Sequence, residues 1–208
     1  MAKKKTTQKK TQKATKKKTV TSKKSKPTAK ATLKKRTPKI KTTKKKDVVV
    51  ATTATQGDPM FGTQVPLFTC LDSQGRSFEL ANQKGRKTVL YFYPKDDTPG
   101  CTIEGKEFSD LHAAFQKKNT NVFGVSRDSV KSHDKFKCKY GFQFELLSDE
   151  DEKICKIFDV IKEKNMYGKM VMGIERSTFI LDEDLKVIYV ERKVKAEGHA
   201  QRILDQIK

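Results

Sequence analysis

The chain has 208 residues and a formal net charge of +21, and almost all of that charge lies in its first quarter. Residues 1–56 contain 20 lysines, one arginine and one acidic residue, whereas residues 57–208 contain 25 basic and 24 acidic side chains. Four cysteines do not indicate a disulfide-stapled secreted module, and no apolar run approaches the roughly 18 residues that cross a bilayer. We therefore expect a cytoplasmic protein without a membrane partner, in which a near-neutral domain carries a polycationic tail.

The tail, residues 1–56, is nearly free of apolar side chains. Such a segment cannot bury enough surface to offset its ordering entropy, so it is predicted to be disordered. In composition it resembles the tails of linker histones and bacterial histone-like proteins. Its lysines would neutralise phosphates without reading sequence, and it has no aromatic residue for base stacking. We expect non-specific nucleic-acid binding, and hence association with a nucleoid or nucleus; a solubilising extension without a partner is the alternative. The lysines of the densest clusters are Lys3, Lys4, Lys5, Lys16, Lys17, Lys18, Lys44, Lys45 and Lys46.

The domain, residues 57–208, begins with two short apolar segments at 65–68 and 77–80. The residues between them, 72–76, are typical of a turn, so we expect a β-hairpin. A continuous apolar run at 88–93 predicts a central strand that is buried on both faces. The helical spacing of the apolar residues that follow predicts a helix from 102 to about 118.

The later elements continue this alternation of strands and helices. They are strands at 121–126 and 144–147, a helix at 129–140 that ends at Gly141, a helix through 154–158 capped by 148–152, a strand pair at 177–181 and 186–190, and a closing helix at 199–207. A polar, Gly-containing stretch at 162–173 precedes the strand pair. The pattern predicts an α/β fold with a mixed central sheet flanked by helices. Its order fits a thioredoxin-like fold with an N-terminal β-hairpin extension.

Cys101 lies where the central strand gives way to a helix, and helix N-termini favour thiolates. Dithiol oxidoreductases place two cysteines at such a corner, but here the first position is Thr98. A lone thiolate can instead attack a peroxide O–O bond and become a sulfenic acid. Pro94 would shape and shield the loop, and the Thr98 hydroxyl would hydrogen-bond the thiolate and the peroxide. A nearby cation is also required.

The pattern Pro94-x-x-x-Thr98-x-x-Cys101 resembles the signature of peroxiredoxins. The text of residues 91–102, 124–129 and 173–179 resembles the Q-type subfamily, also called bacterioferritin comigratory proteins. The resemblance covers nearly all of 57–208 and none of the tail. It implies a thiol peroxidase that reduces hydrogen peroxide and organic hydroperoxides, is regenerated by thioredoxin or a similar dithiol protein, and uses no cofactor. We expect a monomer or weak dimer.

The same resemblance implies the missing cation. Arg176 matches the conserved arginine of the family, and Glu104 matches a position that helps to orient it. A surface ion pair is the alternative interpretation of Arg176.

The resemblance does not single out the resolving cysteine, which would form a disulfide with Cys101. Q-type proteins often carry it five residues after the reactive cysteine, where this chain has Lys106. Other members carry it on the following helix, near Cys138 but one residue away, which is a rotation of about 100° on a helix. Cys138 is therefore the candidate, and a one-cysteine mechanism with an external thiol is the alternative. Cys155 is interpreted as a packed core thiol, and Cys70 has no motif around it.

The three histidines of the chain have no predicted part in the reaction. His112, His133 and His199 are expected to be structural, and no cluster of ligands has metal-binding spacing. An alternative function comes from another class: a nucleic-acid-binding protein whose peroxiredoxin domain is a redox sensor or a DNA-protecting module.

Overall fold

A computed structural model describes residues 57–166 and 169–208. The basic tail lies outside the described residues, so its disorder and the domain boundary at 56/57 stay predictions. The described chain forms five helices (α), nine strands (β) and one short 3₁₀ helix at Leu80–Gln83. The strands are β1 Thr69–Asp72, β2 Ser77–Glu79, β3 Lys87–Phe92, β4 Thr120–Ser126, β5 Glu145–Ser148, β6 Ile161–Met166, β7 Lys169–Ile174, β8 Ser177–Leu181 and β9 Val187–Glu191. The helices are α1 Pro99–Asp110, α2 His112–Lys117, α3 Val130–Tyr140, α4 Lys153–Ile157 and α5 His199–Gln206.

Seven of the described strands form one mixed sheet in the order β2-β1-β5-β4-β3-β8-β9. Strands β3, β4 and β5 run parallel, and β8 pairs antiparallel with both β3 and β9. The N-terminal hairpin adds β1 antiparallel to β5. The predicted mixed α/β sheet with a hairpin extension is therefore confirmed.

Strand β3 has side chains packed on both faces of the sheet, which explains its continuous apolar sequence. Tyr91 belongs to the core that contains Cys101 and Phe108. Leu90 and Phe92 point to the opposite core. The strand is thus a packed support for the loop that leads to α1 and Cys101.

The helix predicted at 102–118 is in fact two helices. Leu111 leaves the helical conformation, with φ −92° and ψ 2°, and separates α1 from α2. Phe108, Leu111 and Phe115 still belong to one apolar stripe, so the spacing could not reveal the break. The prediction that Gly141 ends the next helix is confirmed, since it adopts left-handed backbone angles at the end of α3.

One other prediction about elements was wrong, and one hairpin was not predicted. The first strand of the hairpin begins at Thr69 rather than at 65, because Pro66 has no N–H and the amide of Val65 donates to the carbonyl of Leu185 instead. The polar, Gly-containing stretch at 162–173, for which no element was predicted, is largely the hairpin of β6 and β7. Strand β6 is largely polar and the apolar side chains of β7 at Met170, Val171 and Met172 are exposed, so the sequence shows no alternation of buried and exposed residues.

Within the part of the chain that the structure describes, no helix is both long and apolar enough to span a membrane. The same residues contain no group of three or more His, Cys, Asp or Glu that could hold a metal ion.

Candidate active site

The site begins where β3 ends. A loop at 93–98 leads from the strand to α1, and Thr98 occupies the N-cap position of that helix. Cys101 therefore lies in the first helical turn, as predicted, where unpaired backbone N–H groups and the helix dipole favour a negative charge. Its side chain is only 2% exposed.

Arg176 is brought to Cys101 by strand pairing. Strand β8 lies beside β3, with Ser177 paired to Phe92, so the residue before β8 lies next to the start of the cysteine loop. The amide of Val194 also donates to the Arg176 carbonyl at 3.0 Å. One guanidinium nitrogen, NH2, lies 3.2 Å from the Cys101 sulfur. Residues 75 positions apart in sequence thus form one site.

Glu104 lies one helical turn after Cys101, so both side chains project from the same face of α1. Its Oε2 accepts a hydrogen bond from Arg176 NH1, and its Oε1 faces Nδ1 of His199 at 2.8 Å. Burial disfavours the charge on Arg176, but Glu104 and Cys101 outweigh it and raise the pKa of Arg176 above its ordinary value. The arginine is therefore a permanent cation beside the sulfur.

The contacts of Thr98 and the exposure of Pro94 differ from what the sequence suggested. The Thr98 hydroxyl donates its hydrogen to the carbonyl of Lys95 at 3.0 Å. With that hydrogen engaged, it cannot also donate to the Cys101 thiolate, but its oxygen remains an acceptor. Pro94 is exposed, so its expected function as a shield has no support from its position.

A buried cluster of polar side chains attaches the loop at 93–98 to α3. Nδ1 of His133, on α3, lies 2.9 Å from the Asp96 carboxylate, and the Tyr93 hydroxyl donates to the same carboxylate at 2.8 Å. Nε2 of His133 faces the carbonyl of Leu147 at 3.2 Å. Burial raises the pKa of Tyr93 well above its ordinary value, so its phenol stays protonated and donates.

The exposed side of the loop is also attached to α3. The Asp97 carboxylate accepts hydrogen bonds from Lys139 Nζ at 2.6 Å and from the Tyr140 hydroxyl at 2.6 Å. The bond from Lys139, with that from Tyr140, lowers the pKa of Asp97. The helix that carries Cys138 is therefore connected to the loop that precedes Cys101.

The other three cysteines lie in different environments, and all four are free. Cys138 is exposed on α3, and the nearby Asp134 carboxylate raises its pKa. Burial, followed by the charge of Asp149, raises the pKa of Cys70 to about 12. Cys155 is fully buried, which also raises its pKa strongly and fits the expected core position.

The structure thus brings together Cys101, Arg176 and Glu104, with Thr98 at the cap. Cys138 lies on α3, exposed and free, whereas Cys101 is buried and free, and the nine tail lysines lie outside the described residues. Sequence reasoning missed the contact of His199 with Glu104. No local signal could have revealed it, because it depends on how α5 packs against α1.

Comparison with known proteins connects this geometry to a family. The sequence model of the AhpC/TSA family matches residues 61–190, which is more than half of the chain. Peroxiredoxin Bcp of Xanthomonas campestris is 55% identical over 136 residues, which is 65% of this chain and 85% of that protein. Peroxiredoxin Bcp of Bacillus subtilis is 43% identical over 147 residues, 71% of this chain and 94% of that protein.

Solved structures that resemble this chain belong to the same group of proteins as these relatives. A structure of the Xanthomonas campestris bacterioferritin comigratory protein has a TM-score of 0.65 and 52% identity, and covers 67% of this chain and 89% of that chain. The fold and site are those of a thioredoxin-like thiol peroxidase, and the chain belongs to the AhpC/TSA family. Within that family it is a peroxiredoxin of the Bcp, or peroxiredoxin Q, group.

Proposed function

We propose that Cys101 is the cysteine that reacts with peroxide. Its thiolate attacks one peroxide oxygen, the O–O bond breaks, and the leaving alkoxide or hydroxide takes up a proton. The sulfur keeps the attacked oxygen as a sulfenic acid. Hydrogen peroxide and alkyl hydroperoxides are the proposed substrates. The latter are supported by the similar Xanthomonas campestris protein, which has been studied for alkyl peroxide reduction activity.

The observation that carries this proposal is the 3.2 Å approach of Arg176 NH2 to the Cys101 sulfur in a buried site. A fixed guanidinium favours the thiolate over the thiol. It can also donate to the peroxide oxygen on which negative charge develops, and preorganised donors of this kind are among the strongest catalytic contributions. Of the four cysteines, Cys101 is the one beside this cation.

Thr98 is proposed to orient the peroxide. Because its hydroxyl donates to Lys95, its oxygen can accept the hydrogen of an incoming O–H group. That contact would align the O–O bond with the sulfur. Pro94 is proposed to restrict the backbone where the loop leaves β3.

Cys138 is proposed as the resolving cysteine. Its thiolate would attack the Cys101 sulfenic sulfur, the S–S bond would form, and hydroxide would leave and be protonated to water. A disulfide requires Cα atoms within about 4.4–6.8 Å, so the first turn of α1 would have to open to release buried Cys101. Thioredoxin or a similar dithiol protein would then reduce the disulfide.

The peroxidase assignment of Cys101 is tested by turnover. NADPH oxidation is followed with thioredoxin, thioredoxin reductase and either hydrogen peroxide or cumene hydroperoxide. Wild type should turn over, whereas Cys101→Ser should be inactive and Cys70→Ser should equal wild type. If Cys101→Ser retained the wild-type rate, the proposal would fail.

The resolving step is tested by mapping disulfides after one equivalent of peroxide. An intrachain bond between Cys101 and Cys138 is expected. A dimer linked through Cys101, or a sulfenic acid that persists in wild type, would exclude Cys138 and favour reduction by an external thiol.

A second proposed function belongs to the tail. Its 20 lysines against one acidic residue favour non-specific nucleic-acid binding by counterion release. The tail would hold an otherwise cytoplasmic protein on a nucleoid, or bring it to the DNA of a nucleus. Full chain and residues 57–208 should be compared for duplex DNA binding between 50 and 300 mM salt, roughly the range over which such contacts weaken. Full chain should bind with a steep salt dependence; equal binding by both would reject the proposal.

A further inference from the structure

His199 is the first residue of α5 and lies fully buried against the site. We infer that it is a positioning residue of the peroxidase, which holds the Arg176 guanidinium on the Cys101 sulfur by fixing Glu104. The inference rests on the proposed roles of Cys101 and Arg176. It gives the C-terminal helix a function in the reaction.

His199 completes the hydrogen bonding of the Glu104 carboxylate. This carboxylate is fully buried, so each of its oxygens needs a donor to offset its lost hydration. Arg176 supplies the donor to Oε2, and His199 Nδ1 lies 2.8 Å from Oε1. Loss of the second donor would leave Oε1 unpaired and free the carboxylate to rotate away from the arginine.

Glu104 in turn orients the guanidinium of Arg176. Among the described side chains it hydrogen-bonds Glu104 through NH1 and Cys101 through NH2. A planar guanidinium presents these donors in a fixed relation. The position of NH2 at the sulfur is therefore set by the position of the carboxylate that binds NH1, and that carboxylate is set in turn by His199.

His199 is itself held in place by contacts between α5 and α1. The amide of Gly198 donates to Glu107 Oε1 at 2.7 Å, which attaches the start of α5 to α1. The ring of Phe108 packs edge-on against the imidazole, with centroids 5.4 Å apart. Gly198 has φ +67°, a conformation that glycine adopts without strain. Glu107 thus anchors the start of α5, and Phe108 holds the imidazole ring.

The Nε2 side of the imidazole ring, unlike the Nδ1 side, makes no hydrogen bond to the described residues. Nε2 lies 3.8 Å from Glu191 Oε2, beyond hydrogen-bond distance. Glu191 instead accepts from the Tyr189 hydroxyl at 3.3 Å and from Arg202 at 3.4 Å. The imidazole therefore acts on the site through Nδ1 alone, and this asymmetry makes the inference testable.

Two amide variants separate the two nitrogens. In His199→Asn the amide N–H₂ can occupy the Nδ1 position and donate to Glu104. In His199→Gln the longer side chain places its amide near Nε2, towards Glu191. Both are polar replacements in the same cavity, so they share any general cost to folding. Ile203→Ala is the matched control, because Ile203 is fully buried on the same helix and belongs to the adjacent core.

The experiment uses the full chain. The rate constant of Cys101 with hydrogen peroxide is measured by competition with horseradish peroxidase, and the pH profile of Cys101 alkylation by iodoacetamide is measured by mass spectrometry. We expect His199→Gln to react about tenfold more slowly, the equivalent of one hydrogen bond to a charged group, with an alkylation profile moved to higher pH. His199→Asn should recover most of the rate and the wild-type profile. Ile203→Ala should lower the thermal midpoint and leave rate and profile unchanged.

The inference is overturned if His199→Gln reacts at the wild-type rate, or if His199→Asn is as slow as His199→Gln. It is also overturned if Ile203→Ala reproduces the slow rate, because the effect would then come from loosened packing. An inactive Cys101→Ser together with any of these results leaves the proposed function standing and rejects only the role of His199. A fully active Cys101→Ser would instead reject the proposed function.

Discussion

Arg176 binds the Cys101 sulfur and the Glu104 carboxylate with one planar guanidinium group. NH2 lies at the Cys101 sulfur and NH1 at the Glu104 carboxylate, and the side chain is 15% exposed. A lysine would preserve the charge, but its single ammonium group could not hold the same fork geometry. The reaction should therefore depend on the shape of the cation as well as its sign.

The first prediction is that Arg176→Lys slows the reaction of Cys101 with hydrogen peroxide by about a hundredfold, the usual loss when one preorganised donor is removed. The rate constant is measured by peroxidase competition. Arg76→Lys is the control, because Arg76 pairs with Asp72 on the surface. A rate within twofold of wild type for Arg176→Lys would show that charge alone is sufficient.

Cys138 has an electrostatic environment opposite to that of Cys101. The Asp134 carboxylate, one helical turn earlier on α3, raises its pKa, and the Cys138 thiol faces that carboxylate at 3.6 Å. Since only the thiolate attacks a sulfenic acid, this carboxylate should slow the resolving step near neutral pH.

The second prediction follows from the sign of that shift. Asp134→Asn removes the negative charge, so the pKa of Cys138 should fall and a larger fraction should be thiolate at pH 7. Alkylation of Cys138 in a Cys101→Ser background should therefore be faster, with its pH profile moved to lower pH. Asp205→Asn, on α5, is the control. No shift for Asp134→Asn would contradict the electrostatic account.

At the scale of elements, the close packing of α1 holds the site. A Cβ atom built on Gly105 would lie 2.6 Å from the ring of Phe142. That ring cannot easily move, because it is stacked on Phe144 with an interplanar angle of 9° and on Tyr140 with an angle of 20°. Gly105 is therefore required for the approach of α1, which carries both Cys101 and Glu104.

The third prediction is that Gly105→Ala lowers the free energy of unfolding by about 1–3 kcal/mol, as overpacking usually does. It should also slow the reaction with peroxide, because α1 must shift. Urea denaturation measures the first effect and competition kinetics the second. Gly57→Ala is the matched control, since its Cβ would meet nothing within 4 Å. Equal stability of the two variants would mean that Phe142 yields freely.

Some strands, helices and contacts of the site could be predicted from the sequence, and others could not. Strand β3 and the start of α1 were predictable, because a doubly covered strand leaves a continuous apolar run and the cysteine follows a local motif. The β6–β7 hairpin was not, because β6 is largely polar and the apolar side chains of β7 at Met170, Val171 and Met172 are exposed, so neither strand shows a buried pattern. Arg176 required family resemblance, since 75 residues separate it from Cys101. The contact between His199 and Glu104 arises only when α5 packs on α1.

For the whole molecule, charge and chemistry belong to different parts of the chain. The site lies in a near-neutral domain, where the half-buried Arg176 guanidinium lies beside the Cys101 thiol. The tail holds almost all of the excess charge, and the family match at 61–190 does not include it. Removing the tail should therefore leave the peroxide rate constant of Cys101 unchanged while abolishing salt-sensitive DNA binding. A slower truncated chain would show that the two parts are coupled.

The central claim is that peroxide oxidises Cys101, and trapping the product tests it most directly. Cys138→Ser protein is treated with one equivalent of hydrogen peroxide and dimedone, which labels sulfenic acids, and the labelled peptide is identified by mass spectrometry. We predict one label per chain on Cys101, and its loss in Cys101→Ser. A label on Cys70 or Cys155, or none on Cys101, would contradict the account.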